Sequence, residues 1–245
     1  NFPTAIGVVG DATAALEASR AAAKKLSPNG VKRPGKVKAI AANKAAYKAS
    51  LVEAQRSDQF PMRPERILKD LRDVLPRDGY VVADVGWNKN GCGQQFDIYE
   101  PGTFVAPGGL CTMGYGPSAA IGVKVANPKK KVVALVGDGG MSTNVSPFAT
   151  GAVDKVGVVW VVMNNYAFGT IAGLTRQHYA HQFGTLFEKD GPPYSPDFAA
   201  IAEAYGIKGY KVTRAEDFRP ALEKALASDE ACVIDVAMEN APVIT

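Results

Sequence analysis

The sequence is poor in the residues that usually build metal, disulfide or histidine chemistry: 245 positions hold three cysteines, two histidines and two tryptophans. Cys92, Cys111 and Cys232 show neither metal-ligand spacing nor a disulfide framework, which points to a reducing, cytoplasmic setting. His178 and His181 stand i, i+3, with no cysteine or carboxylate completing a zinc set around them. Apolar stretches are strand-sized and broken by Lys and Gly long before membrane-spanning length, and no secretory signal pattern opens the chain. A soluble protein with no membrane role is expected. No G-x-G-x-x-G follows a strand and no Gly-Lys-Ser/Thr occurs, which excludes dinucleotide-fingerprint and P-loop readings. Nor is there a dense basic face. The net charge of +4 conceals a +7 stretch over residues 21–60, but its bases are scattered among Ala, Gly and Pro with Tyr47 and Phe60 as the only aromatics. That composition reads as a solvated basic linker with one Ala-rich helix, and no nucleic-acid partner is expected.

What the sequence does have is glycine (25), proline (16) and 47% hydrophobic residues, as an α/β protein with functional loops would. Ala5-Ile6-Gly7-Val8-Val9 reads as a strand and Ala12 to Ala23 as a helix. A single βα unit cannot bury a core, so these residues are expected to close a domain lying upstream. From Pro61 the pattern changes. Pro64 to Val74 carries Ile67, Leu68, Leu71 and Val74 at helical spacing, with proline suited to the first turn. Tyr80 to Ala83, Lys131 to Val136, Gly157 to Met163, Ile207 to Val212 and Cys232 to Ala237 are short apolar runs that read as strands. Helices are expected over Pro117 to Val123, from Ser195 through Tyr205, and near Asp217 to Ala227. Strands that are apolar throughout and alternate with helices imply an α/β fold: a parallel sheet buried by helices on both faces.

Two polar signatures end two of these strands. Gly137-Asp138-Gly139 follows one, Asn164-Asn165 follows the next, and 24 residues lie between Gly139 and Asn164. That gap holds one helix and one strand, so both signatures reach the same edge of a parallel sheet, where such sheets bind ligands. A carboxylate, an amide oxygen and nearby carbonyls are hard ligands suited to Mg²⁺ or Ca²⁺. Glycines beside Asp138 let phosphate oxygens approach the backbone at the start of a helix. GDG alone is a common turn; GDG with NN at this spacing, each after a buried strand, is a specific signal.

This pattern resembles the thiamine-diphosphate (ThDP) enzymes of the acetolactate synthase and benzoylformate decarboxylase branch. Supporting matches are PERILKDLRDVLP, GGLCTMGYGPSAAIGVKVANP, VVALVGDGG and VVMNNYAFGTI, over roughly Pro61 to Ala237. The resemblance implies ThDP and Mg²⁺ as cofactors, with the metal on the side chains of Asp138 and Asn165 and on the carbonyl of Ala167. It implies diphosphate contacts from the backbone N–H groups of Gly139, Gly140, Gly169 and Thr170, with Asn164 bracing the turn. Met113 occupies the place of the bulky residue over which the cofactor bends, and the Cys111 carbonyl that of the acceptor for its amino group. Ile171, Leu174 and His178 are the substrate-side candidates; the histidines fit an exposed helix or lid equally well.

The likeness divides the chain into the end of a middle domain (1–23), the basic linker (24–60) and a diphosphate-binding domain (61–245). In the family the activating glutamate comes from a pyrimidine-binding domain of the neighbouring protomer, and no motif here matches it. A companion chain or upstream half is therefore expected, in dimers or tetramers. FAD, which would sit in the middle domain, is neither specified nor excluded. The sequence also departs from acetolactate synthases: Trp87-Asn88 replaces Gln-His after Gly86, Pro147-Phe148 replaces Glu-Leu, and Leu174 stands where tryptophan is common. Three functions stay open: a carboligase acting on a 2-oxo acid, a simple 2-oxo acid decarboxylase, and a non-catalytic subunit of the same fold.

Overall fold

The computed structural model describes residues 2–240. Asn1 and the last positions of the expected third segment, 241–245, lie outside the described residues. The chain divides into two compact units, Asn1–Ala49 and Ser50–Thr245.

In the first unit the expected strand at Ala5–Val9 does not form: Ile6, Val8 and Val9 are exposed and in no ladder. A strand needs a partner for its N–H and C=O groups, and this unit offers only helices. Helix α1 (Ala12–Leu26) is started by Asp11, whose side chain accepts from the Ala14 N–H at 2.9 Å. It ends on Lys24 and Lys25, cations at the negative pole of the helix dipole. Helix α2 (Pro34–Ser50) begins on a proline, and neither helix buries a residue. Alanine's helix propensity, rather than burial, accounts for both.

The second unit opens with the short α3 (Val52–Gln55) and α4 (Pro64–Val74), whose Ile67, Leu68 and Leu71 are buried at the expected spacing. There follow β1 (Tyr80–Ala83), α5 (Trp87–Gln95), β2 (Phe104–Val105), α6 (Tyr115–Ala126), β3 (Val132–Gly137), α7 (Asp138–Thr143), α8 (Pro147–Val153) and β4 (Val159–Asn164). Then come α9 (Gly169–Tyr179), α10 (Phe198–Ala204), β5 (Lys208–Val212), α11 (Ala215–Ser228) and β6 (Cys232–Ala237). The six strands are all parallel, in the order β2-β1-β3-β4-β6-β5. Two short helices, not one, fill the gap between GDG and NN.

Alternate residues of each strand serve opposite cores. Val81, Val133, Leu135, Val161, Met163 and Ile234 pack with α4 and α11 on one face. Val82, Ala134, Val136, Trp160, Val162 and Val233 pack against Phe148 and Phe198 on the other. Trp160 is fully buried, its ring tilted against Phe148 with centroids 5.0 Å apart, and it donates from Nε1 to the Pro117 carbonyl at 3.2 Å. Each such side chain contributes about 2–3 kcal/mol on burial, and this one fixes α6 and α8 to β4. The chain leaves β1 towards β2 on one side and returns to β3 on the other. The crevice beyond the carboxyl ends of β1 and β3 is thus the switch point, where open parallel sheets bind ligands.

Candidate cation and diphosphate site

Asp84, Asp138 and Asn165 follow directly on β1, β3 and β4. Because the strands are parallel neighbours in register (Ala83 opposite Leu135, Gly137 opposite Met163), all three emerge at the same edge. A cavity of about 230 Å³ opens there.

Asp138 is 1% exposed. Its Oδ1 accepts from the Gly139 N–H at 3.0 Å, and its Oδ2 has no partner. Burial pushes its carboxyl up from 3.8 to about 7, while the N–H groups of Gly139, Tyr166 and Ala167 pull partly the other way. A buried carboxylate with an orphaned oxygen is costly unless something positive meets it. Asn165 supplies the rest of that environment. One end of its amide stands 3.2 Å from Asp138 Oδ1 and 3.1 Å from the Ala167 carbonyl, where a nitrogen would donate to both, and the other end lies 3.1 Å from the Asn240 side chain. With the amide oxygen turned inward, as a cation would require, three oxygen donors would converge. Ligands at right angles on an octahedral ion, each about 2.1 Å from it, would be about 3 Å apart. The donor set fits a hard divalent cation. Among the described residues no three His, Cys, Asp or Glu side chains gather as a softer metal would require.

Three helices begin at the cavity: α5 at Trp87, α7 at Asp138 and α9 at Gly169, all lining residues. Free N–H groups and the positive pole of each helix make this a place for anionic oxygens. Gly86 precedes α5 with φ 98°, a backbone that favours glycine. The GDG glycines are constrained by protein as well. A Cβ on Gly139 would stand 2.7 Å from the Phe168 ring, which meets Phe187 edge to face at 4.6 Å. A Cβ on Gly140 would collide with Asp84 Oδ2.

Met113, Asp138, Gly139 and Gly140 line the cavity together with Asn165, Ala167, Gly169, Thr170 and Ile171. Cys111, Leu174 and His178 are not among the lining residues. Cys111 is exposed with φ 50°, its thiol accepting from Lys89 Nζ at 2.9 Å. Leu174 and His178 follow Ile171 up α9, and His178 is exposed. Asn164 turns away from the cavity: its Nδ2 donates to buried Asp235 at 3.2 Å, and Asp235 is held by Lys211 at 2.6 Å and by the Phe198 N–H at 3.2 Å.

The residue reading missed Asp84, Phe168, Lys89 and Asn90; Gly86, Trp87 and Asn88, noted only as departures from the family, also line the cavity. Asp84 is fully buried and accepts from the Gly114 and Gly116 N–H groups at 3.0 and 3.3 Å, which ties the Met113 loop to the end of β1. Its signal was available, since a carboxylate directly after a buried strand repeats the position of Asp138.

Fold and site together describe a parallel α/β domain whose strand-end cavity gathers oxygen donors and the starts of three helices. The family model for the C-terminal TPP-binding domain of thiamine pyrophosphate enzymes (TPP is another name for ThDP) matches residues 84–236. The chain belongs to this family. It is 31% identical over 193 residues to the "Probable acetolactate synthase large subunit" of Methanocaldococcus jannaschii, covering 76% of this chain and 32% of that protein. It is 31% identical over 174 residues to the acetolactate synthase isozyme 2 large subunit of Escherichia coli (71% and 31%). Benzoylformate decarboxylase of Pseudomonas aeruginosa is 28% identical over 185 residues (74% and 33%). The chain spans about a third of the length of these relatives. No described helix is long and apolar enough to cross a membrane.

Proposed function

We propose that this chain is the diphosphate-anchoring part of a ThDP- and Mg²⁺-dependent carboligase that acts on a 2-oxo acid, in the manner of acetolactate synthase. The observation that carries the reading is the Asn165 side-chain amide set within 3.2 Å of Asp138 Oδ1 and 3.1 Å of the Ala167 carbonyl, beside the orphaned and buried Asp138 Oδ2. When bound, ThDP supplies a carbon acid that adds to the 2-oxo group and takes up the electrons released with carbon dioxide. The chain's own residues do the holding. Asp138, Asn165 and the Ala167 carbonyl would bind the Mg²⁺. The N–H groups of Gly140, Gly169 and Thr170 would meet the diphosphate, along with that of Gly139 once it leaves Asp138. Met113 lines the cavity where the cofactor would bend, and the Cys111 carbonyl would take its amino group. Ile171, Leu174 and His178 are the residues of α9 that would face the substrate.

No glutamate lines the cavity among the described residues. The activating carboxylate would therefore come from an upstream segment or partner chain, in a dimer or tetramer, with 1–23 closing a middle domain and 24–60 linking it to 61–245. A reducing, cytoplasmic compartment suits the free thiols of buried Cys92 and Cys232. A second reading, a 2-oxo acid decarboxylase, is favoured by the likeness to benzoylformate decarboxylase and by Trp87 and Asn88 in the cavity wall. Product analysis with and without an acceptor carbonyl separates the two. A non-catalytic role is opposed by the complete cation site. The test of the core reading is Asp138→Ala, which should abolish Mg²⁺-dependent ThDP binding in calorimetry of the full-length protein. Wild-type affinity in that variant would overturn the assignment.

A further inference from the structure

Strand β6 reads Cys232-Val233-Ile234-Asp235-Val236-Ala237, and Asp235 is its one charged residue, fully buried. A charge so placed loses its hydration and persists only where partners compensate. Asp235 has three. Its Oδ2 accepts from Lys211 Nζ of β5 at 2.6 Å and from the Phe198 N–H at the start of α10 at 3.2 Å. Its Oδ1 accepts from Asn164 Nδ2 at 3.2 Å. The Lys211 side chain is 44% exposed and has water as an alternative partner. Asn164 has none: it is 2% exposed and its Oδ1 is unpartnered, so its amide is held through the nitrogen alone. Chemistry fixes the direction of that bond, because a carboxylate facing an ammonium and a backbone N–H offers only acceptors.

Asn164 is also where the sheet lets go of the chain. Register sets Val162 opposite Asp235 and Asn164 opposite Ala237, the last pair between β4 and β6. The Asn164 side chain therefore lies on the same face as Asp235, one diagonal step away. Beyond it the chain turns out through Asn165 and Tyr166, and Tyr166 has φ 55°, a left-handed backbone that disfavours any residue with a Cβ. The two donors that this strand end brings to the cavity, the Asn165 amide and the Ala167 carbonyl, flank that turn. The Met238 N–H holds the Asn164 carbonyl at 2.8 Å, while Asp235 holds its side chain. Backbone and side chain together fix the residue from which the turn departs.

We propose that Asp235 is a positioning residue for the cation: through Asn164 it sets the turn that presents Asn165 and Ala167, without itself lining the cavity. The inference rests on the cation-site reading above. The loss of this one hydrogen bond should weaken Mg²⁺ binding about fivefold to tenfold.

The experiment titrates Mg²⁺ into the full-length protein with ThDP present, reading the dissociation constant by calorimetry and stability by the urea midpoint. The variants are Asn164→Leu, Asp235→Leu, the double variant and Asp138→Ala. Leucine is close in size to both residues and makes no side-chain hydrogen bond. Asn164→Leu removes the contact without changing the charge, and it decides the matter by itself if Asp235→Leu fails to fold by circular dichroism. Expected is a fivefold to tenfold loss of Mg²⁺ affinity in each single variant and no further loss in the double variant. The double variant should nevertheless regain stability over Asp235→Leu, because two apolar side chains then meet where one left a buried amide unpaired. A purely structural role makes affinity recover along with stability, and that result would overturn the proposal. So would losses that multiply in the double variant, or wild-type affinity in Asn164→Leu, which would leave only the charge of Asp235 acting at a distance. If Asp138→Ala abolishes binding in any of those cases, the cation site stands and only this inference fails. If Asp138→Ala binds Mg²⁺ normally, both fail.

Discussion

Asp138 sets function against stability, and Asp138→Asn exposes the conflict. In the folded chain burial raises its carboxyl to about 7, whereas the unfolded chain ionises at the ordinary 3.8. The folded state therefore binds this proton more tightly. Without metal, stability falls as pH rises from about 4 and levels off above about 7. The full gap corresponds to roughly 4 kcal/mol. Asparagine never ionises, and its oxygen can still accept from the Gly139 N–H. Its nitrogen, however, would lie where Asp138 Oδ2 has no partner, which returns about 1–2 kcal/mol of cost. The net gain at pH 8 is about 2–3 kcal/mol, or roughly 4–12 °C in Tm for a unit of this size. At pH 5 the carboxyl is mostly protonated in the folded state, only part of the penalty applies, and the gain falls to about zero. Calorimetric melts of chelator-treated protein at both pH values measure this. Adding Mg²⁺ and ThDP should reverse the order at pH 8, because only the wild type then gains ligand stabilisation. A metal-free variant that melts at or below the wild type at pH 8 would refute the account of Asp138 as a buried charge awaiting its cation.

Two further outcomes follow from the neighbouring residues. Asp84→Ala leaves the buried N–H groups of Gly114 and Gly116 without an acceptor and should cost about 2–4 kcal/mol, read as a shift in the denaturant midpoint; a loss below about 1 kcal/mol would mean that water replaces the carboxylate. Met113→Ala should lower kcat much more than it weakens ThDP binding, since the diphosphate stays anchored elsewhere; equal losses would identify Met113 as ordinary packing.

The parts of the fold that could be read from the sequence are those in which one local signal dominates. Pro64 to Val74 combines a starting proline with a clean apolar stripe, and α4 has those bounds. β3 and β4 are apolar on both faces because helices cover both, and Asp138 and Asn165 follow directly after them. Helix α5 was missed because its sequence, WNKNGCGQQ, is polar and glycine-containing. It holds because the Trp87 ring lies over Gly91, where a Cβ would clash, so the glycine is a packing residue. β2 has two residues, too few for any periodicity, and takes its place by pairing with β1. The strand expected at Ala5–Val9 failed for the converse reason: its local signal was good and its ladder partner absent.

The site is therefore split between what strand ends supply and what loops add. Asp138 and Asn165 need only the parallel order of β3 and β4, so any chain with this topology delivers them to one place. Their usefulness depends on slower-to-read neighbours: Asp84 fixes the Met113 loop, and Phe168 closes over Gly139. The opposite end of the cavity is built differently. Ile171 and Met113, its apolar residues there, are 52% and 39% exposed, and Leu110 on the Met113 loop is 95% exposed. An apolar loop of that kind, beside a site with a finished cation cradle and no glutamate, is poorly arranged for water and well arranged for a covering surface. On the proposed reading, the residues that would anchor the diphosphate lie within this chain, and the ring end would have one wall here and take the other from an upstream segment or partner chain.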